Sequence, residues 1–422
     1  MKVVIFIVFF AYFQVQSTHG YWFSKYRRLA SLLRVSNEPG VLESKAQELS
    51  APSQSRNGNS SSLTPPSGTG IGASLVNLVM KSPLYYPIVN NARQTMVKTA
   101  EDAGIDWTTK AESMEKKLEG YDFISIMNEE HSPEGEWPSY YINKFHGYKS
   151  GNLCKEAAIE QEIAGKAVGA RNFPSEGTNG ENVLRGAYDR EITSLLGDQL
   201  FQRNLDEIVD FGCGTGTSTR RLARLFPRAR KVTGFDLSPY MVGVGRFLLQ
   251  EDNGVEKGEW VEEICSDARI ALKYRDIADT KLPSNSVDVV SICLVLHELP
   301  QTETLRILRE AYRILKPSGC LVVMEMDPEA PGYKKLRANT MLFSILRSTE
   351  PYLDEYFDLA PSLPALLTAA DVGFSSVKIS AATGRHFTLA AEKGGGIVDL
   401  RPSDEERERS DQHLPTNVRG QR

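Results

Sequence analysis

The 422-residue chain lacks most of what would bind nucleic acid, build a disulfide framework or hold a metal. Its net charge is −5, so the chain as a whole presents no basic surface. The first 75 residues carry seven Lys/Arg against three Glu, which leaves the remainder more acidic still. Cysteine is sparse and odd in number: Cys154, Cys213, Cys265, Cys293 and Cys320, with no CxxC. Several sit inside apolar runs, which points to buried thiols rather than bridges. The six histidines show no HExxH or other ligand spacing, which argues against a structural metal. No internal repeat is visible. Charged residues at 24% and apolar residues at 41% are ordinary for a folded soluble chain.

The amino terminus is different in kind. Met1-Lys2 is followed by VVIFIVFFAYF and then by polar QVQSTHG. An apolar run this short is not a membrane span, and the order of the three regions is that of a secretory signal over residues 1–20. An apolar anchor that stays attached is the plainer alternative. Residues 21–75 begin with Tyr21-Trp22-Phe23, carry Lys25, Arg27, Arg28 and Arg34, and continue into NGNSSSLTPPSGTGIG, a stretch without periodicity where low order is expected. A signal followed by an aromatic residue and a basic, Asp-free segment resembles the two-part plastid presequence of algae with complex plastids. That reading reconciles reduced cysteines with a secretory signal. Simple secretion or an endomembrane site is the alternative.

From about residue 76 the chain reads as globular. Residues 76–190 hold helical patterns such as CKEAAIEQEIAGKAVGA (154–170), separated by the aromatic-rich WPSYYINKFHGYKSGN (137–152). From about 191 short β-rich runs alternate with helical ones, which indicates βαβ architecture. EIVDF (207–211), KVTGFD (231–236), a run ending near 274–277, SVDVVSICLVL (286–296) and CLVVMEM (320–326) read as five strands. TETLRILREAYRILKPSG (302–319) reads as an amphipathic helix ended by Pro317 and Gly319. FSSVKISAA and RHFTLAAEK read as a closing antiparallel pair. The charge-dense tail, residues 396–422, is expected to lack order.

The chemistry concentrates in VDFGCGTGTS (209–218). A strand ends at Phe211, and Gly212, Gly214 and Gly216 form a tight turn into a helix near Ser218. Glycine is required where a ligand lies against bare backbone, and the helix start adds free N–H groups and a positive field. Dinucleotide sites favour GxGxxG. Here the spacing is GxGxG with Asp210 two residues before it, and an acid there suits a cationic ligand and repels a pyrophosphate. Asp236 ends the second strand, where a carboxylate can take both ribose hydroxyls; this suits any nucleoside, NAD included. Asp276, at the end of the third strand, can accept from an adenine amino group, with Ile277 packing on the ring. An ordinary turn carboxylate is the plainer reading of Asp276. Leu237 and Leu294 complete the candidate cofactor-binding set.

Taken together, VDFGCGTGTSTRRLA, VTGFDLSPYMV, LPSNSVDVVSICLVLHELP and ILREAYRILKPSGCLVVME resemble the motif series of class I S-adenosylmethionine-dependent methyltransferases. They are most similar to the type 11 group that includes ubiquinone/menaquinone biosynthesis C-methyltransferases. SPLYYPIVNNARQTMVKTAEDAGI (82–105), YYINKFHGYKSGNLCKEAA (140–158), LRGAYD (184–189) and RSTEPYLDEYFDL (347–359) further resemble plant and algal plastid methyltransferase-like proteins. The resemblance implies an α/β fold, a Rossmann-like seven-stranded sheet with its last strand antiparallel over residues 191–395, plus a helical N-terminal extension. It implies S-adenosyl-L-methionine as cofactor, held by Asp210, Gly212, Gly214, Gly216, Asp236 and Asp276. One departure affects Asp276. Forty residues separate it from Asp236, more than is usual, with GVEKGEWVEEICSDAR as the insertion.

The expected activity is methyl transfer to a small-molecule acceptor, a quinone, prenyl lipid or other plastid metabolite, with peripheral membrane contact if that acceptor is lipophilic. No nucleic-acid partner is expected, and the NPPY/DPPY sequence of many N-methylating enzymes is missing. In an open α/β sheet the ligand crevice lies at the strands' carboxyl ends, so SICLVLHELP brings His297 and Glu298 towards the acceptor as candidate catalytic residues. His297 is the better base by its intrinsic pKa of about 6.5; loop-shaping hydrogen bonds are the plainer role for both. Tyr140, Tyr141, Phe145, His146 and Tyr148 suit a lid that stacks on a flat or prenylated acceptor, or simply pack the extension onto the core. Two other classes stay open: a non-catalytic methyltransferase-fold assembly or regulatory protein, and a dinucleotide-dependent oxidoreductase, which the GxGxG spacing and Asp210 oppose.

Overall fold

The computed structural model describes residues 85–250 and 267–399, apart from positions 131, 134, 136, 143–145, 149, 340–342, 344, 345, 348, 370, 371, 395 and 396. The presequence, most of the 254–269 insertion with Cys265, Phe145 and the tail beyond 399 lie outside the described residues.

Eight strands form one sheet in the order β3-β2-β1-β4-β5-β7-β6-β8. They are β1 Glu207–Phe211, β2 Lys231–Asp236, β3 Ile270–Tyr274, β4 Val287–Cys293, β5 Leu315–Met326, β6 Ser376–Thr383, β7 His386–Glu392 and β8 Ile397–Asp399. The first five are parallel, and β7 inserts antiparallel between β5 and β6. This is the expected seven-stranded class I methyltransferase sheet. The eighth strand, Ile397–Asp399, pairs parallel to β6 where no order was expected from the charged sequence.

The central strands are mostly apolar because helices cover both faces. On one face α5 (Gly180–Leu196) and α7 (Thr217–Leu225) pack Leu184, Tyr188, Ile192 and Leu222 on Ile208, Val232, Val289 and Val322. On the other, α9 (Gln301–Ile314), α11 (Leu353–Leu359) and α12 (Leu363–Thr368) cluster with Val209, Val290, Leu321 and Val323. The boundary expected at residue 190 therefore falls inside α5, whose apolar stripe belongs to the sheet. The helix expected over 302–319 stops at Ile314, because Leu315 already pairs with Val287. Between Leu315 and Cys320 the register shifts, with Ser318 at φ +62°.

The extension comprises α1 (Tyr85–Asp102), α2 (Trp107–Lys117), α3 (Phe123–Met127) and α4 (Lys155–Asn172), with the short α6 (Asp198–Gln202) leading into β1. Ile105, Trp107, Met114 and Leu118 pack with Ile159 and Ile163 of α4 and with Met241, Val244 and Phe247 of α8 (Pro239–Leu248), the helix after β2. Helix α10 (Pro331–Ala338) follows β5.

Where α4 turns back into α5 the backbones touch. A Cβ on Gly169 would sit 2.1 Å from Glu181 N. Gly169→Ala is expected to destabilise the chain by at least about 1–3 kcal/mol through overpacking. A thermal melt followed by circular dichroism checks this, and an unchanged midpoint would mean that the two helices part freely.

Candidate functional site

Strand order reverses between β1 and β4, and a cavity of about 150 Å³ opens there at the carboxyl ends of the strands. Gly212, Asp236, Leu237, Asp276, Ile277 and Leu294 all line it, as does Glu298. Strands β1, β2, β3 and β4 thus each deliver part of the expected set to one place. Asp210, Gly214, Gly216 and His297 are not in the wall.

Asp236 is the most connected of these groups. Its Oδ2 accepts from Gly214 N at 2.8 Å, and its Oδ1 accepts from Ser238 N at 2.8 Å and from Tyr141 Oη at 3.2 Å. Burial raises its pKa, and these donors act against that rise. Gly212 and Gly214 hold φ of +67° and +54°. A Cβ on Gly212 would lie 2.6 Å from Val295 Cγ2, and one on Gly214 would lie 2.0 Å from the Gln161 amide. The turn is therefore clamped from both sides, and bare backbone is a steric requirement there.

Asp210 is fully buried beneath the wall. Ser218 and Thr219 donate to its Oδ2 at 2.6 and 2.7 Å. Burial pushes its pKa up to about 6, against those hydroxyl donors and the charge of Arg185. Ser218 lines the cavity in its place, so the acid acts through that hydroxyl and through its field. Asp276 Oδ1 accepts from Ala278 N at 2.8 Å, which shapes the third-strand turn so that Ile277 forms the adjoining wall. The long insertion before β3 does not displace Asp276.

The fourth strand ends in a strained turn. Leu294 sits at φ +59°, a conformation costing on the order of 1–3 kcal/mol for a side chain of this kind. A short 3-10 turn, Leu296–Glu298, follows and sends adjacent side chains to opposite sides. Glu298 faces the cavity. His297 is buried with its Nδ1 2.9 Å from Glu325 Oε2 and its ring 6.2 Å from the Tyr356 ring. The expectation that His297 opens onto the acceptor is corrected here. Glu325 in β5 also accepts from Leu296 N and Met326 N, so it holds the turn in place and draws the imidazole inward.

Burial lowers the His297 pKa, but the Glu325 charge and hydrogen bond outweigh it and carry the pKa up to about 9. The nearby His386 moves the other way, to about 4, because burial outweighs the Glu325 charge; its Nδ1 meets the Thr383 hydroxyl. A protonated, inward-facing His297 is poorly suited to act as a base at neutral pH.

Several groups at the site were not singled out from sequence. Gln161 Oε1 accepts from Thr215 N at 2.6 Å, and Glu162 takes both Thr215 Oγ1 and Arg220. Arg185 and Glu181 of α5 line the cavity, paired at 3.0 Å, and the pairing outweighs burial to keep the guanidinium charged. Asn152 also lines it, and Ser238 Oγ donates to Asn152 O at 2.7 Å. The available signal was polar residues set among apolar ones on a helix: Gln161 and Glu162 between Ile159 and Ile163 in α4, Arg185 between Leu184 and Tyr188 in α5. Of the aromatic stretch expected as a lid, Tyr140 and Tyr141 line the cavity, whereas the Tyr148 hydroxyl meets Glu160 of α4.

The donor set fits S-adenosyl-L-methionine. Asp236 suits a ribose diol, Ile277 and Asp276 an adenine, Gly212 close backbone approach, and Arg185 the amino-acid carboxylate. A buried group with a raised pKa makes its own pH test. Protonated His297 is favoured in the folded chain, so the stabilisation from its pairing is complete below about pH 6.5. It is lost as pH rises through about 9. The melting midpoint of the wild type relative to His297→Asn is expected to fall across that window; a difference independent of pH would mean an imidazole that stays neutral.

Residues 209–323 match a family model described as a methyltransferase domain. A demethylmenaquinone methyltransferase of Listeria welshimeri is 29% identical over 130 residues, 31% of this chain and 49% of that protein. One of Staphylococcus aureus is 30% identical over 131 residues, 31% of this chain and 47% of that protein. The chain spans about half the length of these relatives. A solved SAM-dependent methyltransferase of Aquifex aeolicus, 20% identical, covers 49% of this chain and 89% of its own, with a TM-score of 0.34. At that level the strand order, not the superposition, carries the fold assignment. The strand order is that of the class I methyltransferase Rossmann-like fold, and the matched stretch 209–323 lies within that sheet domain.

Proposed function

We propose that the chain transfers a methyl group from S-adenosyl-L-methionine to a small-molecule acceptor. The observation that carries this reading is the convergence of Gly212, Asp236, Asp276 and Glu298 from four strand ends on one cavity. Bound there, the cofactor supplies an already activated methyl group, so the protein's work is alignment and exclusion of water. Asp236 and the Gly212 turn fix the nucleoside end. Tyr140 and Tyr141 roof the cavity from the extension, and Val295, Leu299 and Ile277 give the remaining wall an apolar character.

For the acceptor we propose a quinone, a prenyl lipid or another plastid metabolite, reached by peripheral membrane contact if it is lipophilic. Support comes from the apolar and aromatic wall and from relatives named for demethylmenaquinone. The amino-terminal signal with its aromatic, basic continuation supports a plastid destination. The net charge of −5 opposes a nucleic-acid substrate.

Titration calorimetry tests the donor. S-adenosyl-L-methionine is expected to bind the full chain, and Asp236→Ala to weaken binding roughly 10–100-fold through loss of charge-assisted hydrogen bonds. A wild-type chain that binds no donor, while melting cooperatively, would leave a methyltransferase fold serving as an assembly or regulatory partner.

A further inference from the structure

Four carboxylates line the cavity, Glu181, Asp236, Asp276 and Glu298, and of these Glu298 sits beside the apolar Leu294, Val295 and Leu299. A carboxylate held against apolar side chains is costly unless it is partnered. Its partners come from one stretch of the extension. Asn152 Nδ2 donates to Glu298 Oε2 at 3.1 Å. His146 Nε2 lies 3.5 Å from Glu298 Oε1 and 3.1 Å from Glu350 Oε1. The charged and titratable groups facing Glu298 are therefore His146 and Glu350, with His297 beside it and the Tyr141 hydroxyl across the cavity.

His146 is held in that place at a cost. It takes φ +51°, the left-handed region that non-glycine residues seldom occupy, and its N–H donates to Thr349 O at 3.1 Å. Strain of this kind persists only where the surroundings over-determine it, and it gathers at functional sites. The result is a cluster in which His146 Nε2 faces two carboxylates: Glu350 takes its hydrogen bond, and Glu298, hydrogen-bonded by Asn152, feels its charge.

Resting on the methyltransferase reading above, we propose that Glu298 is the base that takes the acceptor's proton, with His146 and Glu350 as positioning residues. The acceptor is accordingly a ring bearing an ionisable hydroxyl, a phenol, catechol or hydroquinone, methylated at that oxygen or at the ring carbon it activates. In oxygen methylation the hydroxyl proton passes to the Glu298 carboxylate. The freed pair on oxygen forms the bond to the methyl carbon, and the pair of the breaking carbon–sulfur bond stays on sulfur, which becomes a neutral thioether. In carbon methylation the ionised oxygen feeds its charge through the ring to the attacking carbon, and the ring proton leaves afterwards to water.

The electrostatics suit the task. Burial raises the Glu298 pKa, bringing it nearer to that of a phenol, while the His146 cation opposes the rise and keeps the group ionisable. The same neighbours carry His146 up to about 10 against the effect of burial, so its charge is present throughout the neutral range. His297 cannot substitute, since its Nδ1 is committed to Glu325 and its ring is outside the wall.

The test uses the full chain loaded with S-adenosylhomocysteine, with Glu298→Gln and His146→Gln as variants. Calorimetry first measures donor-product binding, and its loss in the wild type would defeat the methyltransferase reading rather than this proposal. Infrared titration of the wild type, with Glu298→Gln subtracted, then follows one carboxyl group. Its midpoint is expected above the ordinary carboxylate range and is expected to move higher in His146→Gln, where the cation is gone. An ordinary midpoint, or one indifferent to His146→Gln, overturns the proposal. Labelled methyl transfer to a catechol and to a naphthohydroquinone is expected to lose about 10²–10⁴ of kcat in Glu298→Gln with donor affinity retained. The acid limb of the rate is expected to shift to higher pH in His146→Gln. Full activity of Glu298→Gln on these probes, or wild-type turnover confined to amine and thiol probes, also overturns it.

Discussion

The carboxylate of Asp236 is where three separate segments of the chain meet. It ends β2, receives the Gly214 N–H of the glycine turn, opens α8 through Ser238, and accepts the hydroxyl of Tyr141 from the extension. Burying an acid is unfavourable by itself, and the convergence of donors is what makes this position tenable. The same property suits it to a ribose, whose hydroxyls are donors of the same kind. Turn, helix and roof are thus registered on one group, and the cavity between them inherits that geometry.

The Glu298 side of the cavity is organised by a second acid. Glu325 in β5 accepts two backbone N–H groups and the His297 ring, which ties the segment after β4 to the neighbouring strand. Drawing His297 inward leaves Glu298 on the cavity side, where Asn152 and His146 reach it from the extension. A histidine and a glutamate adjacent in sequence therefore have opposite surroundings. One is a buried cation paired for stability, and the other is a carboxylate in the cavity wall.

The extension contributes more to the site than its helical pattern suggests. Helix α4 places Gln161 against the glycine turn, and α5 adds Arg185 and Glu181, while the close approach at Gly169 fixes how these helices lie together. These residues are buried or half-buried polar groups on helices packed against the core. Sequence periodicity identifies the stripe but not which polar interruption is aimed at a ligand.

Much was legible in the chain itself. The alternation of apolar runs and amphipathic helices determined a parallel sheet, since a strand covered on both faces must be largely apolar. Gly212, Asp236 and Asp276 were legible as residues that three strand ends bring to one cavity, because a tight turn and strand-end hydrogen bonding call for those residue types locally. Where a property depends on distant partners, sequence was silent. That His297 turns to Glu325, 28 residues on, that Glu298 meets His146 from 152 residues earlier, and that Asp210 lies under the wall rather than in it were decided only by tertiary packing. Spacing along a strand sets which end a side chain occupies. The charges and donors folded in around it decide which way it faces and which protonation state it keeps.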